Sequence, residues 1–180
     1  MAATTDITYA GLRAEWPRSS GSVTYFMRDI PRKLADKEDP LVVPDYQRGR
    51  VWSDDQSARF IGFLAEGGTM APVFVQRWPV RSDGSFEPDE IVDGLQRLTA
   101  ICRFLDGSVP MELADGRRAF LRDLSERDQE LFVGPGGPLV HVDFLELGTR
   151  EDVLRFYIRL NRGGTPHSDA DIDRVRAMLG

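Results

Sequence analysis

Several things are scarce in this chain, and each scarcity closes off a class of function. Cys102 is the single cysteine, so no internal disulfide braces the fold, and its place on the apolar side of an expected helix marks a core thiol rather than a nucleophile. The two histidines, His141 and His167, lie far from each other and from any cysteine spacing that suggests zinc, and no HNH-type nuclease site is present. No apolar run approaches the length of a membrane span, and Met1-Ala2-Ala3-Thr4 lacks the basic-then-apolar pattern of a secretion signal. The expectation is a cytoplasmic protein with no membrane partner. Internal repeats, heptad arrays and low-complexity tracts are also missing, which leaves one ordinary globular domain.

Lysine is nearly absent as well. Of 23 basic residues only Lys33 and Lys37 are lysines, leaving 21 arginines, whose planar guanidinium suits bidentate phosphate recognition. A net charge of −6 argues against a surface that grips nucleic acid everywhere, so the position of each arginine carries more information than the number. At 180 residues, 41% hydrophobic and 29% charged, the chain is long enough for one sizeable core.

Residues 1–21 read as an irregular polar arm, and 22–180 as a single domain. Val23, Phe26, Met27, Ile30 and Leu34 recur at helical spacing, so a helix over Ser22 to Ala35 is expected, bent or ended by Pro31. An extended segment starts at Leu41. Ser53 with Gln56 is a capping-box signature opening a helix with Phe60, Ile61, Phe63 and Leu64 on its buried face. Val73-Phe74-Val75 is β-rich, the Arg81 to Pro88 excursion is polar, and the chain returns to a strand at Ile91. Leu95, Leu98, Ile101, Cys102 and Leu105 stripe the next helix, closed by Asp106-Gly107. A hairpin around Ala114-Asp115-Gly116, a short helix capped by Ser125, a strand over Leu139 to Leu145, a helix capped by Thr149 and ended by Gly163-Gly164, and a last helix from Ser168 to Leu179 complete the order. Gly134-Pro135-Gly136-Gly137 reads as a turn, because no helix or lysine follows it. The sum is an α+β domain in which short strands interleave with helices, with an α-helical tail.

The chemistry concentrates at Glu90-Ile91-Val92-Asp93-Gly94-Leu95-Gln96-Arg97, a strand running into a helix with an arginine in its first turn. A cation at a helix N-terminus is disfavoured by about 0.3–1 kcal/mol unless an anion shares the site, and a bound phosphate supplies one. Capping accounts for part of the pattern, since Asp93 can be the N-cap and Gln96 can reach back to it. It leaves unexplained Arg97 and Gly94, where a residue without Cβ lets a ligand approach the backbone. Two more arginine-bearing segments adjoin sharp backbone transitions: Tyr46-Gln47-Arg48-Gly49-Arg50, and Arg159-Leu160-Asn161-Arg162-Gly163-Gly164-Thr165, where helix C-terminal capping is the plainer account.

Together these segments resemble a known family. Val43-Pro44-Asp45-Tyr46-Gln47-Arg48 with Val51-Trp52 and Gln56, then Ile91-Val92-Asp93-Gly94-Leu95-Gln96-Arg97-Leu98-Thr99, then Leu160-Asn161-Arg162-Gly163-Gly164-Thr165-Pro166, follow the order and rough spacing of the GmrSD-type N-terminal domain. The resemblance spans about Leu41 to Leu179. Its signature is D-G-Q-Q-R, and this chain has Leu95 at the first Gln position. The family resembles the ParB and sulfiredoxin fold, which implies a small mixed sheet flanked by helices. It also implies nucleotide binding and hydrolysis in bacterial systems that restrict modified phage DNA, hence a bacterial or phage-infected cell. Sulfiredoxin chemistry itself is excluded, since that motif's reactive cysteine would fall at Leu95.

Carried over by position, Asp93, Gly94, Gln96 and Arg97 form the phosphate loop, and Tyr46, Gln47, Arg48, Asn161, Arg162 and Gly163 line the same pocket. Arg48 and Arg97 would balance phosphate oxygens, helix N–H groups beyond Gly94 would bind the β- or γ-phosphate, and Asp93 would hold Mg²⁺ or position water in preference to accepting a hydroxyl proton, since a tight N-cap is not a freely oriented base. Arg50 and Trp52 are candidate substrate contacts; Trp52 and Tyr46 are aromatic enough to stack on a base, although such a pair is more often core. The expected function is NTP-dependent phosphoryl transfer with ATP or GTP and Mg²⁺, as a kinase or NTPase, with hydroxymethylated pyrimidine in DNA as one acceptor. The alternative is a non-catalytic, nucleotide-gated module that contacts DNA or a partner and regulates a separate nuclease.

Overall fold

A computed structural model describes residues 17, 19–37, 40–47, 52–162 and 175–178. Among these residues seven strands are assigned: β1 (Ser19–Phe26), β2 (Leu41–Val42), β3 (Val73–Gln76), β4 (Asp89–Asp93), β5 (Met111–Glu112), β6 (Arg118–Ala119) and β7 (Leu139–Leu145). The helices are α1 (Ile30–Leu34), α2 (Asp54–Ala65), α3 (Leu95–Leu105), α4 (Glu126–Val133) and α5 (Arg150–Arg162). The main sheet is mixed, in the order β1-β7-β3-β4-β2. β1 runs antiparallel to β7, β7 parallel to β3, β3 antiparallel to β4, and β4 parallel to β2. β5 and β6 form the separate hairpin, with Gly116 in its turn at φ +83°. This is the expected α+β class.

Because side chains alternate across a strand, the sheet buries two different faces. Val73, Val75, Ile91, Val140, Val142 and Phe144 meet Ile30 of α1, Ile61 and Leu64 of α2, and Leu98, Ile101 and Phe104 of α3. On the opposite face Phe74, Val92 and Leu145 meet Val153, Leu154, Phe156 and Tyr157 of α5. Tyr46 joins this second cluster, as does Val175 of the tail. Ile91 and Val92 are therefore buried neighbours facing opposite layers, and the residue after them, Asp93, ends the strand at the sheet margin.

One expected helix is a strand. Residues Ser19–Phe26 are β1, followed by a 3-10 turn over Met27–Asp29 and the short α1. The apolar spacing fitted a helix, but Val23, Thr24, Tyr25 and Phe26 are β-branched or aromatic, and a partner strand at β7 rewards that preference. Pro31 opens α1 instead of breaking a longer helix, since the first turn needs no donor there. The strand also reaches back into the stretch expected to be an irregular arm. Phe63 is a second correction: it is 52% exposed, its ring lying over Gly68. The last helix expected from Ser168 falls mostly outside the described residues, which record a helical turn at Val175–Ala177.

The expected caps of α2, α4 and α5 are in place. Ser53 accepts from the Gln56 N–H at 3.1 Å while Gln56 accepts from the Ser53 N–H at 2.8 Å. Ser125 and Thr149 accept from the Asp128 and Asp152 N–H groups at 3.2 and 3.1 Å.

Candidate functional site

The junction of β4 and α3 is built differently from the capped starts of α2, α4 and α5. Its N-cap is Gly94, at φ +106°, with no side-chain cap bond, so the expected Asp93–Gln96 capping box does not form. A left-handed residue costs an L-amino acid about 1–2 kcal/mol, which alone favours glycine here. Space demands it too, because a Cβ on Gly94 would lie 2.8 Å from Val73 Cγ2. The missing side chain thus makes room for a neighbouring strand, not for a ligand. Gly94 itself offers the first-turn N–H groups of α3 no side-chain cap.

Arg97 occupies this turn with its own counterion. Its Nη2 is ion-paired with Asp93 Oδ2, and its Nη1 donates to the carbonyl oxygens of Ala71 and, at 3.2 Å, Pro72. The Arg97 side chain is 13% exposed and that of Asp93 is 36% exposed. The anion that a cation at a helix N-terminus calls for is therefore supplied by the chain itself. Through the two carbonyls the same guanidinium fixes the segment entering β3, so Arg97 as described is an internal clamp, and Asp93 is the more open partner.

Two glutamines draw the first motif to this junction. Gln47 donates from Nε2 to the Ile91 carbonyl at 2.6 Å, and its own N–H donates to Pro44 O at 3.0 Å. Gln96, freed from capping, accepts the Trp52 N–H at 3.2 Å. The chain on both sides of residues 48–51 is thereby pinned to β4 and to α3. Trp52 is half-buried, edge-on to Phe60 at 5.3 Å between ring centroids. Arg48 and Arg50 lie outside the described residues, and so does Gly163.

Tyr46 is 0% exposed, edge-on to Tyr157 of α5 at 5.1 Å. A ring so enclosed does not stack on a base; its placement here is the core one. Burial first, and then the neighbouring Glu90 carboxylate, hold its hydroxyl protonated well above the usual phenol range. Asn161 of the third motif turns back on its own helix, donating to the Tyr157 carbonyl at 2.8 Å. Arg162 ends α5. The described part of the third motif thus reaches the first through the Tyr46–Tyr157 contact, one layer beneath the β4–α3 junction.

Arg150 is the residue that sequence reasoning missed. It stands in the first turn of α5, pairs with Glu90 and with Asp45 at 2.6 Å, and lies over the Tyr46 ring at 4.8 Å. One side chain therefore locks the Asp45-Tyr46 step to both β4 and α5. Burial raises the Glu90 pKa above the ordinary glutamate value, with Arg150 acting in the opposite direction. The signal was the one read at Arg97: an arginine behind a capping residue at a helix start. In both cases a carboxylate of the protein answers it.

Among the described residues no group of three or more His, Cys, Asp or Glu side chains is arranged to hold a metal ion. Asp93 stands at the junction, and one carboxylate by itself fits Mg²⁺ only when phosphate oxygens complete its shell. Among the same residues no helix is long and apolar enough to cross a membrane.

Residues 31–135, more than half of the chain, match a family model described as GmrSD restriction endonuclease, N-terminal domain. The match includes the first two motifs and ends before the third. No curated protein matches the chain.

Proposed function

The chain belongs to the GmrSD N-terminal domain family, and from that premise we propose that it binds a nucleotide at the β4–α3 junction and transfers or hydrolyses its terminal phosphoryl group. One observation carries the reading: a helix start with no side-chain cap, a carboxylate at its mouth, and a second motif segment pinned across it by Gln47 and Gln96. N–H groups at a helix start attract phosphate, and phosphoryl transfer needs positioning and charge neutralisation more than covalent help. ATP or GTP is the proposed ligand. Modified DNA, such as DNA carrying hydroxymethylated pyrimidine, is the proposed acceptor or regulator, in keeping with the restriction setting of the family's name.

Within this reading each residue acquires a narrower role. The N–H groups beyond Gly94 receive phosphate oxygens. Asp93 offers Mg²⁺ the oxygen that does not face Arg97; when bound, the ion supplies neutralisation of phosphate charge. Arg97 orients that carboxylate, and Gln96 and Gln47 orient the chain on either side of residues 48–51. Tyr46 supports the pocket from below, and Trp52 borders the site. Arg48, Arg50, Asn161, Arg162 and Gly163 remain proposed contacts by position alone.

One observation favours a second reading. Asp93 and Arg97 are spent on each other, and among the described residues no group of three or more His, Cys, Asp or Glu side chains could hold a metal. Such a site suits binding without turnover, that is, a nucleotide-gated module that regulates a separate nuclease.

Calorimetric titration with ATP and GTP in the presence of Mg²⁺, followed by incubation with γ-labelled nucleotide and hydroxymethylated DNA, separates these readings. Label on DNA establishes the kinase, and label as free phosphate removes it in favour of an NTPase. Binding without turnover supports the gated module. No binding of either nucleotide overturns the proposal.

A further inference from the structure

The two edges of the main sheet are guarded unequally. β2 closes one edge with only two residues, whereas β1 closes the other with eight, and among the described residues β1 pairs with no strand but β7. Exposed edges carry unpaired N–H and C=O groups, which proteins commonly blunt with charges, prolines or short strands. Ser19-Ser20-Gly21-Ser22-Val23-Thr24-Tyr25-Phe26 contains no charge and no proline. Residues 19–24 are exposed whichever way their side chains point, so β1 projects beyond the helices that cover its neighbours. One irregularity in the β7 register, between Ser19 and Gly21, is its only bulge-like feature.

We propose that this edge is a self-association surface, on which a second copy of the chain adds its own β1 in antiparallel register around a twofold axis. The sequence of the strand is self-complementary only in that sense. Its first half is small (Ser19, Ser20, Gly21, Ser22) and its second half large (Val23, Thr24, Tyr25, Phe26). A twofold through Val23 sets Val23 opposite its own copy, Ser22 opposite Thr24, Gly21 opposite Tyr25 and Ser20 opposite Phe26. Apart from the central Val23 pair, which packs on itself, each bulky residue then covers a small one, and the Tyr25 ring shields the strand glycine. A parallel pairing in register stacks bulk on bulk and leaves the small half open. Because the segment is neutral, two copies meet without like-charge repulsion even though each chain carries −6. The closed interface is isologous, so association stops at the dimer and does not run on as a fibre.

Sedimentation velocity of the full chain across a wide concentration range, together with paired cysteine substitutions made in a Cys102→Ala background, tests this. The wild type is expected to move from monomer to dimer as concentration rises. Val23→Lys, at a position 40% exposed and so tolerant of a surface side chain, is expected to shift that transition at least tenfold upward while leaving in place the thermal midpoint read at concentrations where both chains are monomeric. Under mild oxidation Val23→Cys is expected to crosslink to itself, whereas Ser20→Cys alone is not, because the register places Ser20 against Phe26. A chain that stays monomeric throughout, a dimer indifferent to Val23→Lys, or Ser20→Cys crosslinking as readily as Val23→Cys would each overturn the proposal.

Discussion

Arg97 and Asp93 form an ion pair across one turn at the start of α3, and the arginine is the more buried of the two. The pair explains how a cation persists where the helix dipole disfavours it. It also ties that helix to the Ala71 and Pro72 carbonyls before β3, so a charge contact doubles as a tertiary clamp.

Removing the guanidinium leaves a partly buried carboxylate and two carbonyl oxygens without their donor. Arg97→Ala is therefore expected to lower unfolding free energy by about 1–3 kcal/mol, the scale of an unsatisfied buried polar group. Asp93→Asn, at the more exposed end, costs less. Urea denaturation of the two variants checks the order; equal losses would show that the clamp on Ala71 and Pro72 contributes nothing.

Gly94 is fixed by backbone angle and by space, and the two causes are separable. Gly94→Ala is expected to destabilise by more than the roughly 1–2 kcal/mol of a left-handed alanine, because the new methyl meets Val73. Adding Val73→Ala removes the collision but not the dihedral strain. A double-mutant cycle on thermal midpoints should show positive coupling between the sites; simple additivity would mean that the collision is absorbed elsewhere.

Tyr46 makes stability sensitive to alkali. Its hydroxyl titrates at higher pH folded than unfolded, so its contribution is intact below the ordinary phenol range near 10 and is lost as pH rises through the folded value. Tyr46 is expected to yield its phenolate signal only above the ordinary phenol range, together with loss of structure. In Tyr46→Phe that late step should vanish from a spectrophotometric titration. Persistence of the late step would assign it to another ring.

Glu90 acts at the other end of the pH scale. Burial raises its folded pKa above the glutamate value of 4.5, so the proton is held more tightly in the folded chain. This term stabilises the fold below that value and is lost as pH rises through the raised one. Glu90→Gln should flatten the stability profile across that window, as followed by chemical denaturation at stepped pH. An unchanged profile would mean that Arg150 cancels the burial cost in full.

Gln47 and Gln96 hold the two sides of residues 48–51. Gln47→Ala and Gln96→Ala are each expected to cost about 1 kcal/mol, the net worth of one hydrogen bond. Limited proteolysis should detect more than stability does, with cleavage between Gln47 and Trp52 rising severalfold in either variant. If cleavage rises elsewhere first, the pins are not what holds this segment.

Much of the fold was legible because its signals are local. The Ser53–Gln56 box, the Ser125 and Thr149 caps, the apolar stripe of α3 and the positive-φ glycines at 107 and 116 each depend on neighbours within a few residues. The β1 segment misled because its apolar spacing and its β-propensity disagree, and the tie was broken by β7, more than a hundred residues away.

The sequence by itself determined the β4–α3 junction, the order of the three motifs, the family and the α+β class, since these rest on residue types at short or fixed spacing. Tertiary structure decided what the motif residues do. It gave Arg97 a carboxylate and two carbonyls as partners, placed Tyr46 in the core, turned Gln96 from a cap into a holder of Trp52, and recruited Arg150. The reason is physical: which anion answers a cation, and which face of a ring meets solvent, are settled by groups that are close in space while far apart along the chain.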